Sequence, residues 1–432
     1  MKLLIKKLKI VWWRIKSILA MYYYCNPSKK LKVIGVTGTN GKTTTVSLLY
    51  KIALELGYKA GLVSTVENLI NEERISINGG KSMPGTTPDS ITLTKLFKKM
   101  VDANCEYVFM EVSSHALDQN RVWGVNFVGG IFTNLTHDHL DYHKNFENYF
   151  EAKKKFFKML DIDAFALSNI DDEYGVKMLE GIKARKFSYG FKDFPEVRPR
   201  GNSPRSDLGE EFFHGEIKKI DFSGLELLFN NNEKINSKLI GKFNAYNLLA
   251  VWSASSLLGF DIKKVNKILE NIKPPRGRFE HFTSKNGVLV IVDYAHTPDA
   301  LEKILLAIKE IKEETSRIIS VFGCGGDRDP LKRSKMGRIG VALSYISIFT
   351  SDNPRSEDPN KIIADMMAEL YGEESKKVKS IANRHEAILE SVKLAQKGDI
   401  ILCAGKGHED YQDIKGVKYH FDDMEEFKKA YD

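Results

Sequence analysis

Long apolar runs are missing from this 432-residue chain: no stretch of eighteen uncharged apolar residues occurs, which excludes a spanning helix of ordinary length. Cysteine is scarce. The four present, Cys25, Cys105, Cys324 and Cys403, stand far apart and form no C-x-x-C pair, so they read as reduced thiols of a cytosolic protein and not as a metal site. Internal repeats and low-complexity tracts are absent. No aromatic-and-basic stacking platform or reading-helix signature supports nucleic acid as a partner. What is present is a globular composition, 42% hydrophobic and 28% charged, in a length suited to two or three domains. The formal net charge of +8 suits an enzyme handling anionic nucleotides or acidic peptides.

The strongest local signal lies near the start. Apolar Leu31 to Val36 leads into Gly38-Thr39-Asn40-Gly41-Lys42-Thr43-Thr44-Thr45, and Val46 to Tyr50 follows. This is a strand, a glycine-rich turn and a helix N-terminus. Backbone N–H groups of such a turn and the helix dipole face anionic phosphate, a lysine reaches the outer phosphates, and a hydroxyl joins a magnesium shell. The pattern therefore predicts ATP held by Gly38 to Thr44, with Lys42 and Thr43 in those two roles. Val36 stands where the strict phosphate-loop spacing wants its first glycine, so the loop is a variant.

Strands and helices alternate from residue 31 onward. Leu31 to Thr37, Tyr107 to Val112, Val128 to Asn134 and Phe165 to Ile170 read as buried parallel strands, with helices near Thr43 to Leu56, Ser90 to Val101 and Asn145 to Leu160. Lys192 to Glu211 lacks a hydrophobic period and reads as a loop, short strand-like runs continue to Leu239, and a helix spans Asn244 to Leu258. After Pro274-Pro275 a second series begins. Its strands are Val288 to Asp293, Arg317 to Gly323, Tyr345 to Thr350 and Asp399 to Ala404, and its helices Pro298 to Glu313, Asp358 to Tyr371 and Arg384 to Lys397. The expected architecture is α/β: a central ATPase domain of the phosphate-loop type with a mostly parallel sheet over 31–274, and a smaller Rossmann-like doubly wound domain over 275–432.

Residues 1–30 stand apart. On a helix, Leu4, Leu8, Val11, Ile15 and Ile18 form one stripe with Trp12 and Leu19 beside it, and Lys2, Lys6, Lys9, Arg14 and Lys16 share the far side. Such a basic amphipathic helix can lie on an anionic membrane surface, or it can dock on the protein body through its apolar stripe; amphipathicity alone does not choose. Charges interrupt the apolar region and no small-residue cleavage site follows, which disfavours a signal peptide.

Further along, Glu111 ends a strand in Glu111-Val112-Ser113-Ser114-His115, where a magnesium ligand belongs in a parallel sheet; a solvated strand-end carboxylate is an equal reading. Thr133 to His143 packs three histidines and two aspartates into a strand-end loop, a density that packing does not explain. Zinc is an alternative there, although no further ligand cluster accompanies it. Lys153 falls four residues after Tyr149, in a run of three lysines that reads as a solvated face. Nothing local selects it.

Taken together these stretches resemble the Mur ligases. The resemblance runs through GTNGKTTT, the Thr86-Thr87-Pro88 turn, EVSSHALDQNRV from Glu111, FTNLTHDHLDYH from Phe132, YFEAK from Tyr149, FNAYN from Phe243 and GRFE from Gly277. It continues through DYAHTPDAL from Asp293, FGCGGDRD from Phe322, TSDNPRSEDP from Thr350 and GKGHEDYQ from Gly405. Order and spacing hold from residue 31 to the end, most closely in the manner of the family members that add the third amino acid of the peptidoglycan stem peptide. The resemblance implies ATP-dependent amide-bond synthesis through an acyl phosphate, a reaction that needs positioning and charge neutralisation more than covalent help. It implies that Lys42 steadies the outer phosphates, that Thr43 and Glu111 hold one magnesium, and that His139 holds a second with a carbamylated Lys153. It gives Asn247, Arg278 and Asp293 to the nucleotide, and Thr86, Thr87, Ser113, Gln119 and Arg121 to a muramoyl-dipeptide acceptor. Closure of one domain on the other would assemble the site.

For the incoming amino acid the resemblance points to Arg328, Asp352, Asn353, Pro354, Arg355, Gly405 and Glu409. An arginine in Asp352-Asn353-Pro354-Arg355 can pair bidentately with a carboxylate, and meso-diaminopimelate carries a second carboxylate where lysine has an amine. Most members also carry a domain that grips the uridine end of the substrate, whereas only about thirty residues precede the loop here. The acceptor could thus be UDP-linked, lipid-linked or free. Ser334, where the family usually has proline, is a minor departure. Two other readings exist: a folylpolyglutamate-like ligase, which does not account for EVSSHALDQNRV, DNPR or GKGHE, and a non-catalytic membrane-associated ATP-binding scaffold, which has no need of Lys42, Glu111, His139 and Lys153 together. The expected enzyme is cytoplasmic and monomeric.

Overall fold

The computed structural model describes residues 2–75, 86–136, 138, 140–192 and 210–432, with side chains from Trp12 onward apart from those of Leu140 and Asp141. The stretch 193–209, expected as a loop, lies outside the described residues. Two compact units divide the chain, Met1–Lys273 and Pro274–Asp432.

In the first unit the apolar runs become strands buried on both faces. Phe127–Phe132, Lys32–Thr37, Tyr107–Glu111 and Ala60–Val63 lie side by side in parallel, and Phe165–Asn169, Arg185–Gly190 and Glu211–Asp221 continue the sheet beyond Phe127–Phe132. Antiparallel strands close both ends, Asn68–Ile70 and Glu73–Arg74 at one, Gly224–Phe229 and Glu233–Ser237 at the other. The strand pleat sends Ile34, Val36 and Phe109 to one face, where they meet Leu48, Leu49, Leu248 and Val251 of helices Lys42–Glu55 and Lys242–Leu257. Val33, Val108 and Met110 point the other way, onto Phe97, Met100, Phe156 and Phe157 of helices Ser90–Asp102 and Phe146–Lys158. Each such side chain contributes about 1.5–3 kcal/mol through burial, enough in sum to hold the loops at the strand ends in place.

Three expectations about this unit need correction. The strand expected to reach Asn134 stops at Phe132, because Thr133 and Asn134 turn to serve the phosphate loop: the N–H of Thr39 donates to the Asn134 carbonyl at 2.8 Å, and the Thr133 hydroxyl to the Asn40 carbonyl at 2.6 Å. The lysine run is not a solvated face. Helical spacing puts Lys153 in line with Tyr149, Phe156 and Phe157 on the core side, so Lys153 and Lys154 are buried and Lys155 alone of the three is exposed. The N-terminal helix, Lys2–Tyr23, does pack on this unit, along helix Ser90–Asp102, but not through Ile15 and Ile18 of its apolar stripe. Trp13, Ser17, Ala20 and Met21 face the body, while Ile15 and Ile18 are exposed. Small Ser17 and Ala20 allow the close approach that a row of isoleucines would prevent.

The second unit has its own sheet. Leu289–Asp293, Ile400–Ala404, Ile318–Phe322, Ile346–Phe349 and Val378–Ser380 run parallel in that order, and Glu280–Thr283 adds an antiparallel edge beside the first. Helices Pro298–Ile311, Leu331–Leu343, Pro359–Met367, Arg384–Leu394 and Asp423–Tyr431 cover it. Leu331–Leu343 escaped the sequence reading because it has no apolar stripe; Gly337 and Gly340 instead let it sit against the Met366 carbonyl and the Phe322 ring. The helix expected to reach Lys397 ends at Leu394, where Asp399 draws off the N–H of Gln396 at 2.8 Å.

Candidate active site

Four neighbouring strand ends converge on the phosphate loop. Lys32–Thr37 runs into it, Glu111 ends the strand on one side, Thr133 and Asn134 follow the strand on the other, and Thr65 follows Ala60–Val63. The loop needs its two glycines. Gly38 and Gly41 have φ of 152° and 84°, and a Cβ would fall 1.9 Å from the Thr133 hydroxyl at Gly38 and 2.5 Å from the Asn247 side-chain oxygen at Gly41. Asn134 braces the loop from outside, its Oδ1 accepting the N–H of Asn40 at 2.9 Å. Thr39 shares a hydrogen bond with the Tyr149 hydroxyl at 3.1 Å and accepts the N–H of Thr136 at 2.9 Å.

Within this frame the Thr43 hydroxyl donates to Glu111 Oε1 at 2.8 Å. Glu111, 1% exposed, also accepts the N–H of Thr65 at 2.8 Å and its hydroxyl at 3.2 Å. A hydroxyl and a carboxylate so placed beside phosphate-binding N–H groups are hard oxygen donors of the kind magnesium takes. Lys42 Nζ donates to the carbonyls of Gly38 at 2.8 Å and Thr39 at 2.7 Å. Lys153 Nζ reaches the same Gly38 carbonyl at 2.7 Å and lies 4.6 Å above the Tyr149 ring. Burial, and then the charge of Lys42, hold the Lys153 ammonium well below the ordinary lysine range, with Asp138 opposing. His139 lies outside the described residues. Thr44 is buried in the first turn of the helix, and Asn247, buried against Gly41, donates to Asn244 at 3.1 Å.

The residues expected to meet the acceptor also come together. Thr87, fully buried, donates to the Glu111 carbonyl at 2.9 Å and to Ser113 Oγ at 3.2 Å. Arg121 donates to the Thr87 carbonyl at 2.8 Å and, through Nε and Nη2, to Gln119 Oε1 at 2.9 and 2.6 Å. Gln119 continues to the Tyr142 hydroxyl at 3.3 Å. One chain of hydrogen bonds thus links this cluster to the strand that carries Glu111. Thr86 adjoins it in sequence.

In the second unit, the Arg278 guanidinium stacks 4.8 Å from the Tyr294 ring centre. Asp293 accepts the N–H of Phe279 at 2.7 Å, and burial raises its carboxyl while Arg278 pulls it back. In the loops that follow strands Ile346–Phe349 and Ile400–Ala404, Asn353 Nδ2 donates to Glu409 Oε2 at 2.7 Å, and a Cβ on Gly405 would lie 2.8 Å from Asp352 Oδ2. Burial and then Asp352 raise the Glu409 carboxyl, against Lys406. Arg355, with φ of 50°, is held in this left-handed conformation by backbone bonds on both sides, from its N–H to Asp413 at 3.0 Å and from Lys415 to its carbonyl at 2.7 Å. Its guanidinium donates to the Gly326 carbonyl at 2.6 Å, and its Nη1 and the Arg328 side chain both border Gly325. The Pro354 carbonyl backs Gly326, and a cavity of about 640 Å³ opens beside Arg355, Asn383 and Gln412.

Thr65, Asn134, Tyr149 and Lys406 escaped the sequence reading. Lys406 is fully buried and donates to the Tyr411 carbonyl and to Glu409 at 3.3 Å. No local signal marked it, since a lysine between two glycines in Gly405-Lys406-Gly407 reads as a surface turn.

Residues 36–255 match the Mur ligase middle domain, and residues 277–407 the Mur ligase glutamate ligase domain. The chain is 49% identical over 407 residues to UDP-N-acetylmuramoyl-L-alanyl-D-glutamate--2,6-diaminopimelate ligase of Phocaeicola vulgatus, covering 94% of this chain and 79% of the relative. It is 48% identical over 412 residues to the enzyme of the same name from Bacteroides fragilis, covering 95% and 80%. A solved structure of a ligase of that name is 31% identical and superposes with a TM-score of 0.62 over 93% of this chain and 78% of the other. The fold alone is shared with folylpolyglutamate synthase of Thermotoga maritima, at 17% identity and a TM-score of 0.65 over 90% and 89% of the two chains. With both of its units matched and close relatives aligned along most of its length, the chain belongs to the Mur ligases, a family of ATP-dependent, ADP-forming amide ligases.

Proposed function

We propose that this chain joins the amine of meso-2,6-diaminopimelate to the D-glutamate carboxylate of a muramoyl-L-alanyl-D-glutamate acceptor; its relatives are named UDP-N-acetylmuramoyl-L-alanyl-D-glutamate--2,6-diaminopimelate ligases. The observation that carries the reading is the continuous set of contacts from Lys42 and Lys153 at Gly38, through Thr43 and Glu111, to Thr87, Ser113 and Arg121. The backbone N–H groups of Gly41 to Thr44, at the helix N-terminus, and the Lys42 ammonium orient and neutralise the phosphates, beside the point where Arg121 and Ser113 hold the acceptor. Phosphoryl transfer to the acceptor carboxylate gives an acyl phosphate, from which the amine displaces phosphate. Thr43 and Glu111 would hold one magnesium ion, which supplies charge neutralisation at the phosphates when bound.

A second ion falls to His139 and Lys153. The desolvated Lys153 amine is suited to add carbon dioxide: its Nζ lone pair forms the N–C bond, a proton leaves, and the resulting carbamate is an anionic oxygen ligand. Asn247, Arg278 and Asp293 take the rest of the nucleotide. Arg355 and Arg328, both at Gly325, hold the distal carboxylate of diaminopimelate, while Asp352, Asn353, Gly405 and Glu409 take its ammonium end. Residues 31–274 act as the ATP domain and 275–432 as the amino-acid domain of a cytoplasmic monomer, with residues 1–25 in peripheral contact with the membrane's inner face.

Phosphate release measured with UDP-linked, lipid-linked and free muramoyl-dipeptide tests this reading. Release that requires both diaminopimelate and one of these acceptors is expected. Release with a folate acceptor and glutamate, or none with any acceptor, would overturn it.

A further inference from the structure

We infer that the N-terminal helix fastens the acceptor loop of this enzyme to an anionic lipid bilayer, with Trp12, Ile15, Ile18, Leu19, Tyr22 and Tyr23 as the bilayer face. The proposal rests on the assignment of Gln119 and Arg121 to the acceptor.

The helix has two opposed faces. Towards the body, the Ser17 hydroxyl donates to the Asn120 carbonyl at 2.9 Å, and the Met21 thioether fills the space where a Cβ on Gly124 would fall. Arg14 stacks 4.6 Å over the Trp123 ring. Asn120 lies between Gln119 and Arg121, so the helix is anchored on the loop that carries them. On the opposite side, Trp12 is 55%, Leu19 60% and Tyr22 86% exposed. At about 100° per residue the six outward side chains span an arc of about 140°, and Arg14 and Lys16 fall at its two margins. Lys16 Nζ lies 5.3 Å from the Trp12 ring centre. An apolar arc with aromatic side chains and flanking cations is the pattern of a helix lying in the headgroup region. Among the described residues no helix is long and apolar enough to cross a membrane.

Charge selects the occupant. The first thirty residues hold eight lysines and arginines and no acidic residue, the first acidic residue being Glu55, whereas the rest of the chain carries 57 charges of each sign. The whole net charge of +8 therefore sits on the segment that bears the exposed apolar arc. A second copy would set like charges face to face, and a nucleic acid would leave the apolar arc unmatched. An anionic bilayer satisfies both features. An enzyme so held presents its acceptor loop next to the membrane, where a lipid-linked acceptor, if used, would reside.

The test is flotation of the full-length protein, without substrates, on phosphatidylcholine vesicles with or without phosphatidylglycerol. Binding that needs phosphatidylglycerol and falls with added salt is expected. Ile15→Glu/Leu19→Glu should lower it at least about tenfold, and Tyr22→Glu should act in the same direction, with circular dichroism and ligase rate on a soluble acceptor unchanged. Failure to bind phosphatidylglycerol vesicles, binding undiminished in the double variant, or a dimer in sedimentation velocity that the double variant dissolves would overturn the inference. Vesicle binding is measured without catalysis, so loss of the membrane contact and loss of the ligase reaction are told apart.

Discussion

Lys42 and Lys153 donate to one acceptor, the carbonyl oxygen of Gly38, at 2.8 and 2.7 Å. Burial, with Lys153 only 1% exposed, and then repulsion from Lys42 hold the Lys153 ammonium below the ordinary lysine range. The proposed carbamylation of Lys153 would reverse the sign of its charge and turn that repulsion into attraction. Ligase activity is expected to fall in carbon-dioxide-depleted buffer and to return with bicarbonate, with a carbamate signal in ¹³C NMR that Lys153→Met lacks. Activity indifferent to carbon dioxide would refute the carbamate.

The same residue predicts a pH effect on stability. Unfolded, this lysine keeps its proton up to its ordinary pKa of 10.5; folded, it loses it earlier. Across the interval between the two values the unfolded state binds more protons, so stability rises with pH. Denaturant titrations over that interval should show the rise in the carbon-dioxide-free protein and a flatter profile in Lys153→Met. The variant's own stability should stay within about 1 kcal/mol, because an apolar chain of similar shape suits a site that disfavours charge.

Glu111 receives three donors, from Thr43 and from the amide and hydroxyl of Thr65. Glu111→Gln keeps the shape and removes the charge. Phosphate release should drop by about 10²-fold or more, with weaker magnesium dependence and intact secondary structure. A variant with wild-type rates would remove Glu111 from the metal site.

Arg355→Ala should raise KM for diaminopimelate about 10²-fold while leaving ATP affinity unchanged, since the guanidinium lies among second-unit loops at Gly326 and its loss leaves the distal carboxylate to Arg328 alone. Unchanged diaminopimelate kinetics would sink its assignment.

Glu409 is expected to take part in amine binding as a carboxylate, and its pKa is raised by burial and Asp352 and restrained by Lys406. Removing the restraint in Lys406→Met raises it further. The acid limb of kcat/KM for the amino acid should therefore move to higher pH, and a profile that stays in place would show that Lys406 acts only through packing.

How much of this was legible depends on whether the signal is local. The phosphate loop, Glu111 at a strand end and the alternation of strands and helices are written in neighbouring residues, because a turn's geometry and a strand's burial act over a few positions. The family resemblance supplied roles for Thr87, Arg121 and Glu409 that no local pattern carries. Thr65 and Asn134 brace the site from separate strand ends, and only sheet order brings them there.

By itself the sequence determined a phosphate-binding loop, two α/β series and a basic amphipathic helix, each the product of short-range propensity and hydrophobic period. Tertiary structure decided which member of each set does what. Of three consecutive lysines it buried Lys153 beside Lys42 and left Lys155 in water, since the helix face turned to the sheet is chosen by packing. For the N-terminal helix it chose small Ser17 and Ala20 as the docking side and turned Ile15 and Ile18 outward, because fit to the loop at Asn120 outweighs hydrophobicity along the helix.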